Sequence, residues 1–309
     1  MEVAEGNSHR KRNNTRCAES PHRLQAHRWG RKMRFAVRSS LQYDVKSPAV
    51  FILNVEAAAL HRQRIIVESL TLNPAFPIER FADDEGGSRF IRVNAEPGPF
   101  HVSYHAVVEV DMIDEAPESI QELPVGDLPL DIMPYLYPSR FCQSDLLGRF
   151  ARREFGEIEP GHSRVTAICN WIHDHVDYVR GSSDSQTSAY DTMVLRAGVC
   201  RDFAHLGIAF CRALIIPARF ASGYAWQLDP PDFHAVFEAY LGGQWYLFDA
   251  TRQAALQGLV RIGVGRDASD AAFATIYGDA EFKGMSVGID AVDGDAEAEE
   301  PTTRAVSVA

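Results

Sequence analysis

No stretch of this 309-residue chain approaches the roughly 18–20 consecutive apolar residues that a bilayer-spanning helix needs, and its N-terminus has no apolar core of the secretory kind. Cysteine is scarce: Cys17, Cys142, Cys169, Cys200 and Cys211 form an odd set of 5 without a CxxC pair. That pattern points away from a zinc ribbon and from a disulfide framework. Sparse thiols suit a reducing compartment, where one can be kept for chemistry. Positive charge is in deficit: Lys plus Arg total 31 against 42 Asp plus Glu, a net charge of −11, which argues against nucleic acid as a partner. No acidic run has EF-hand spacing, so calcium is not expected, and no other cofactor is indicated. Together these absences lead us to expect a cytoplasmic protein with no membrane partner.

What is present is an ordinary globular composition, 46% hydrophobic and 24% charged, divided into segments of different character. Residues 1–32 gather Arg10, Lys11, Arg12, Arg16, Arg23, Arg28, Arg31 and Lys32 with hardly any apolar periodicity, and are expected to be disordered. Single-sign runs are usually solvated tails. An extension upstream of a start at Met33 is therefore favoured over a nucleic-acid or membrane arm. Residues 33–114 carry short alternating apolar runs broken by turn residues, the signature of an antiparallel β-sandwich. Its histidines, His61, His101 and His105, read as surface or satisfied strand residues. Residues 115–140, with Pro117, Pro124, Pro129, Pro134 and Pro138, have linker composition. Residues 141–288 begin with helix-like spacing at Val165, Ile168, Cys169, Ile172 and Val176, and form the expected second domain. Residues 289–309 are small and acidic and are expected to be a disordered tail. The fold class is α+β.

The chemistry-bearing pattern lies in the second domain. From Cys200 to Ile216 apolar residues run almost all round, as in a buried helix, and Pro217 ends it. Cys200 then stands in the first turn, where unpaired N–H groups and the helix dipole favour a thiolate. Gly198 allows a tight approach. By itself this says little, because a free cysteine is commonly just a small hydrophobe, as Cys211 is expected to be.

The partners come from a hairpin. The run from His234 to Leu241 alternates into Gly242-Gly243, and Trp245 to Asp249 returns. Gly-Gly between alternating runs is a two-residue turn signal. With that loop Leu241 faces Gln244, and Val236 lies opposite Asp249. His234 is then on the same face as Asp249 and diagonal to it, about 7–8 Å away at the backbone, within reach of an imidazole–carboxylate hydrogen bond. A three-residue loop would put the two on opposite faces. Cys200 as nucleophile, His234 as base and Asp249 as orienter complete a thiol triad, with the Cys200 N–H as one oxyanion donor. Trp171, Tyr178 and Tyr224 are the candidates for a second.

Gly198-Val-Cys-Arg-Asp-Phe-Ala-His-Leu, Ile216-Pro-Ala-Arg-Phe-Ala-Ser-Gly-Tyr, His234-Ala and Trp245 through Asp249-Ala-Thr closely resemble the transglutaminase-like superfamily, in its bacterial branch of transglutaminase-like cysteine peptidases. The resemblance covers roughly Pro138 to Arg252, and the sandwich also looks like that branch's N-terminal domain. It implies a papain-like transglutaminase core with the cysteine helix packed on an antiparallel sheet, and assigns the triad to Cys200, His234 and Asp249. Val236 stands where the family often has Trp, and Ala250 where it often has Pro; both flank the triad.

The expected activity is acyl transfer on amides through a thioester, with a protein or peptide as substrate. Water as acceptor gives a peptidase or amidase, the favoured reading, since nothing suggests a dedicated amine site. An amine acceptor gives a protein-glutamine transglutaminase. A non-catalytic peptide- or partner-binding module is the competing class, which has no need of all three triad groups. A metal site on His173, His175 and His205 is disfavoured, because residues two apart diverge on a helix.

Overall fold

The computed structural model describes residues 29–83, 86–292 and 304–308; the basic segment 1–28 and most of the acidic segment, 293–303, lie outside the described residues. The first half of the chain is built of strands: β1 (Trp29–Val45), β2 (Ala49–Leu53), β3 (Gln63–Asn73), β4 (Ile78–Ala82), β5 (Arg89–Ala95) and β6 (Gly98–Glu115). Period-two alternation is the cause. Phe35, Val37, Leu41, Phe100, Val102 and Tyr104 are buried, while Arg34, Gln42 and His105 between them face solvent.

Helices then enter: α1 (Ser144–Phe155), α2 (His162–His175), α3 (Ala189–Leu195) and α4 (Cys200–Ala213). Two short strands, β7 (Asp177–Tyr178) and β8 (Ala197–Gly198), run parallel beside them. The remaining strands are β9 (Ala218–Ala225), β10 (Phe233–Leu241), β11 (Gln244–Phe248), β12 (Leu259–Gly265), β13 (Ala274–Tyr277), β14 (Ala280–Ala291) and β15 (Ala305–Ser307).

One nine-stranded sheet runs through the molecule in the order β12-β9-β10-β11-β15-β6-β1-β14, with β3 also paired to β6. A second sheet, β13-β2-β5-β4, closes the sandwich. The large sheet is covered on both faces at its β9–β11 end. Along β10, Val236 joins the sandwich core, whereas Phe237, Ala239 and Leu241 join a helical core with Ile168, Phe203 and Phe210. Each such fully buried large side chain contributes about 1.5–3 kcal/mol over leaving it exposed. Inside this end, Glu238 is fully buried between Arg219 at 2.5 Å and Arg261 at 2.8 Å, tying β9, β10 and β12 together.

Four boundaries differ from expectation. β1 starts at Trp29, because β6 is long enough to pair residues 29–32 with Asp111–Asp114. The sandwich is not a single segment, since β13 pairs with β2 and β14 with β1. Residues 274–291 therefore complete the N-terminal unit, and Val287, Ile289 and Ala291 pack against its core. The end of the chain is not all solvated tail either. Ala305, Val306, Ser307 and Val308 are buried, and β15 bridges β11 to β6. Four small, largely apolar residues outweigh the acidic composition before them, because two strand edges lie open to receive them. Finally, the proline-rich stretch is docked rather than loose: Leu128 and Ile132 are buried against Trp245, and Ile120 against the helices.

Candidate active site

Cys200 is the first residue of α4, as its pattern predicts. Three local features hold that turn. Asp202, fully buried, accepts the Val199 N–H at 2.9 Å, capping the helix. β8 pairs with β7 in the register Tyr178↔Gly198, and Val179 N–H donates to the Gly198 carbonyl at 2.9 Å. Gly198 is required by space, since a Cβ there would meet the Asp202 Cβ at 2.7 Å. The helix stops at Ala213, earlier than Pro217 alone would dictate. Ile215 takes a left-handed φ of 66°, and the Ile216 N–H closes on the Cys211 carbonyl.

Cys142, Cys169 and Cys211 are buried, and burial pushes their thiols up, Cys142 to about 12. Cys200 is half-buried, so among the described residues it is the one thiol open to a cleft.

The hairpin forms with the expected two-residue turn. Gly242 and Gly243 have φ of 58° and 88°, a conformation glycine supplies at no steric cost, and Leu241 pairs with Gln244 and Phe237 with Phe248. The parity holds, and His234 Nε2 lies 2.9 Å from Asp249 Oδ2. The second Asp249 oxygen accepts the Thr251 N–H at 2.8 Å and the Thr251 hydroxyl at 2.7 Å. With Nε2–H committed to the carboxylate, Nδ1 is the free base nitrogen, buried and without a hydrogen-bond partner of its own.

The electrostatics agree. Burial alone would lower the His234 pKa, but the Asp249 carboxylate and the Cys200 side chain outweigh it and raise it to about 10. Burial pushes Asp249 up, and His234 and Thr251 more than offset this, so its carboxyl lies below its ordinary value. His234 is therefore the natural resting place for a proton leaving Cys200.

Of the three candidate oxyanion donors, only Tyr178 meets Cys200. Its ring packs 5.8 Å from Phe203, and burial first, then Cys200, raises its pKa to about 12. Tyr224 instead donates to the Val55 carbonyl at 2.7 Å inside the sandwich, and Trp171 stacks on His175 among the helices. The three histidines weighed as metal ligands do not gather. His205 is a neutral core residue that accepts the Ala268 N–H at 3.1 Å and is lowered by burial to about 4, while His173 and His175 are exposed.

Cys200 and His234 open onto a cleft of about 910 Å³ between the α4–β10 unit and the sandwich, with Arg140, Arg201 and Asp232 on its walls. Sequence reasoning passed over Asp202, Thr251 and these charged walls. Thr251, two residues beyond Asp249, carries a readable signal, because a hydroxyl at that offset folds back on a carboxylate; the walls come from segments distant in sequence and carry none.

A cysteine on a helix N-terminus facing a His–Asp pair on a hairpin, with a β-sandwich at the N-terminus, defines a class. The chain matches the Transglutaminase-like superfamily core over residues 149–250 and the bacterial transglutaminase N-terminal domain over residues 33–131, and it belongs to the transglutaminase-like superfamily. It is similar to the crystal structure of a protein from Cytophaga hutchinsonii named as a "putative cysteine protease": identity is 48%, the TM-score 0.86, with 90% of this chain and 98% of that one covered. It is also 26% identical over 260 residues to the uncharacterized protein ML0607 of Mycobacterium leprae, covering 77% of this chain and 91% of that protein. The uncharacterized protein Rv2569c of Mycobacterium tuberculosis is 27% identical over 270 residues, with 76% and 84% covered.

Proposed function

We propose that this protein is a thiol-dependent amide hydrolase, with Cys200 as nucleophile, His234 as base and acid, and Asp249 as orienter. The observation that carries the reading is the Asp249-held imidazole, which leaves Nδ1 as its free base nitrogen beside the only half-exposed thiol among the described residues. The Cys200 proton passes to His234 Nδ1, and Sγ attacks the amide carbonyl carbon. The oxyanion is held by the Cys200 N–H and by the Tyr178 hydroxyl, which donates once substrate displaces its resting contact. Collapse breaks the C–N bond, the His234 proton goes to the leaving nitrogen, and a thioester remains. Water, giving its proton to His234, then attacks the thioester and the C–S bond breaks, restoring the thiol.

Water is preferred over an amine as acceptor because, among the described residues, the cleft walls carry a single carboxylate, Asp232, against Arg140 and Arg201, and no acidic cluster that would hold a lysine. A cytoplasmic, reducing setting suits a nucleophile that must stay free. The test is mass-spectrometric capture of an acyl adduct on Cys200 during incubation with a peptide-amide panel, beside a glutamine-peptide amine-incorporation assay. Hydrolysis with an adduct on wild type and none on Cys200→Ala is the expected result. Faster amine incorporation would make the protein a transglutaminase, and identical behaviour of the two proteins would leave a binding module.

A further inference from the structure

β13 is the outermost strand of the four-stranded sheet, paired with β2 on one side and with no strand on the other among the described residues. All its residues, Ala274–Tyr277, line the cleft that holds Cys200 and His234. One hydrogen bond fixes where their backbone groups point. The Asn54 N–H donates to the Phe273 carbonyl at 3.0 Å, and the register Ala274↔Leu53 places Phe273 opposite Asn54. In an antiparallel ladder, successive residues alternate between turning both backbone groups to the partner and turning both away. Phe273, Thr275 and Tyr277 therefore face β2, and Ala274 and Ile276 turn their N–H and C=O outward along the open edge. Such an edge is a template for another strand.

The surroundings say what kind of strand. In a chain of net charge −11 the cleft walls carry two arginines, Arg140 and Arg201, against one carboxylate, Asp232. Arg201 is bonded to buried Asp202. Arg140 is exposed, donates to the Gln186 side chain at 2.8 Å, lies over the Phe141 ring 5.0 Å from its centroid, and has no carboxylate partner among the described residues. Phe233 and Phe273, stacked 5.2 Å apart on the same wall, offer apolar seating for alternate side chains.

We infer that the acyl donor is an extended, acidic polypeptide segment that binds as a fifth strand on the open edge of β13, delivering its carbonyl to Cys200. The sandwich thereby supplies half of the substrate site, and small amides or branched side-chain amides are poor donors. This rests on the acyl-transfer reading of Cys200 above.

The probe is a tetrapeptide chloromethyl ketone of alternating glutamate and valine, which alkylates Cys200 after docking. Iodoacetamide, which reports thiol reactivity alone, is run beside it. The quantity read is the ratio of the two labelling rates at Cys200. N-methylation of every second peptide residue is expected to lower that ratio about tenfold and methylation of the intervening ones to leave it, because only alternate N–H groups face the edge. Exchanging glutamate for lysine lowers it as well. Ala274→Pro removes an outward N–H while sparing the ladder to β2, and lowers the ratio by a similar factor. Equal effects of N-methylation at every position, or a wild-type ratio in an Ala274→Pro protein with a normal urea midpoint, would overturn the edge-strand inference. A lysine peptide that labels as fast overturns the acidic assignment. A wild-type iodoacetamide rate no faster than that of an ordinary thiol counts instead against the triad itself.

Discussion

Asp249 accepts the Nε2–H of His234 at 2.9 Å and is itself held by Thr251, so the imidazole is fixed in the tautomer that leaves Nδ1 free for Cys200. Asp249→Asn keeps the shape and inverts the hydrogen bond. An amide donates to Nε2 and forces the ring proton onto Nδ1, where it blocks the base. The expected loss is roughly 10³–10⁴ in kcat, the scale on which a wrong tautomer acts in such triads. Steady-state amide hydrolysis by the two proteins measures it; a loss under tenfold contradicts the role given to Asp249.

The raised His234 pKa has a signature in stability. A histidine at about 10 in the fold and at its ordinary 6.5 in the unfolded chain binds its proton more tightly when folded. The stabilisation is complete below pH 6.5 and is lost as pH rises through 10. Asp249, lowered in the fold, gives the opposite case: its contribution is present above its ordinary carboxyl pKa and fades as the solution is acidified. Urea unfolding at pH 6, 8 and 10 should therefore show wild type declining more steeply than His234→Gln across that window. Parallel curves would mean that the fold does not shift the His234 pKa.

Tyr178 is placed at Cys200 by the β7–β8 pairing rather than by any motif. If its hydroxyl donates to the oxyanion, Tyr178→Phe should lower kcat by roughly 10² with little change in KM, because the contact is made only in the transition state. A change confined to KM would make it a substrate-contact residue instead.

The placement of Cys200, His234 and Asp249 could be read because each sits on a local pattern: a helix start, the parity of a hairpin, and a Gly-Gly turn that fixes the register. The two-lobed α+β organisation was equally visible, since alternation in 33–114 and the helical periodicity of 163–178 are properties of adjacent residues. Arg140 and β13 were not visible, and Tyr178 could not be told from Trp171 and Tyr224 as a partner of Cys200. Each reaches the site through pairing or packing with segments remote in the chain, and nothing in a strand of four residues announces which sheet it joins. β15 was hidden for a different reason: the net charge of residues 290–300 dominated the composition and masked four buried residues that follow.

Glu238 is the buried acid between Arg219 and Arg261, and burial raises its pKa less than the two guanidiniums lower it. Glu238→Ala leaves two cations facing each other out of water, with Arg261 almost wholly inaccessible. A destabilisation of about 3–5 kcal/mol is expected, as for other buried pairs broken on one side. Replacing all three residues by apolar ones of similar volume should recover most of it. Urea midpoints of the single and triple variants make the comparison, and a single variant within about 1 kcal/mol of wild type would show that water reaches the cluster.

β15 joins the two halves of the large sheet. Val306 is fully buried, lies opposite Leu247 on β11 and Asp114 on β6, and packs in the sandwich core, while neighbouring Ala305 packs in the helical core. Val306→Asp puts a carboxylate among the apolar side chains of the sandwich core, and should cost more than about 3 kcal/mol. The nearly isosteric Val306→Thr, which brings a hydroxyl in place of a methyl, should cost about 1–3 kcal/mol. The cleft depends on how the sandwich is held against the α4–β10 unit. The aspartate variant should therefore also lose the peptide-over-iodoacetamide labelling advantage at urea concentrations where its far-UV circular dichroism is still native. Full retention of that advantage, together with a wild-type unfolding midpoint, would mean that β15 is a passenger on the sheet and that the lobes are held together by other contacts, among them the Tyr224 hydroxyl on the Val55 carbonyl and the Gln63 side chain on Arg261.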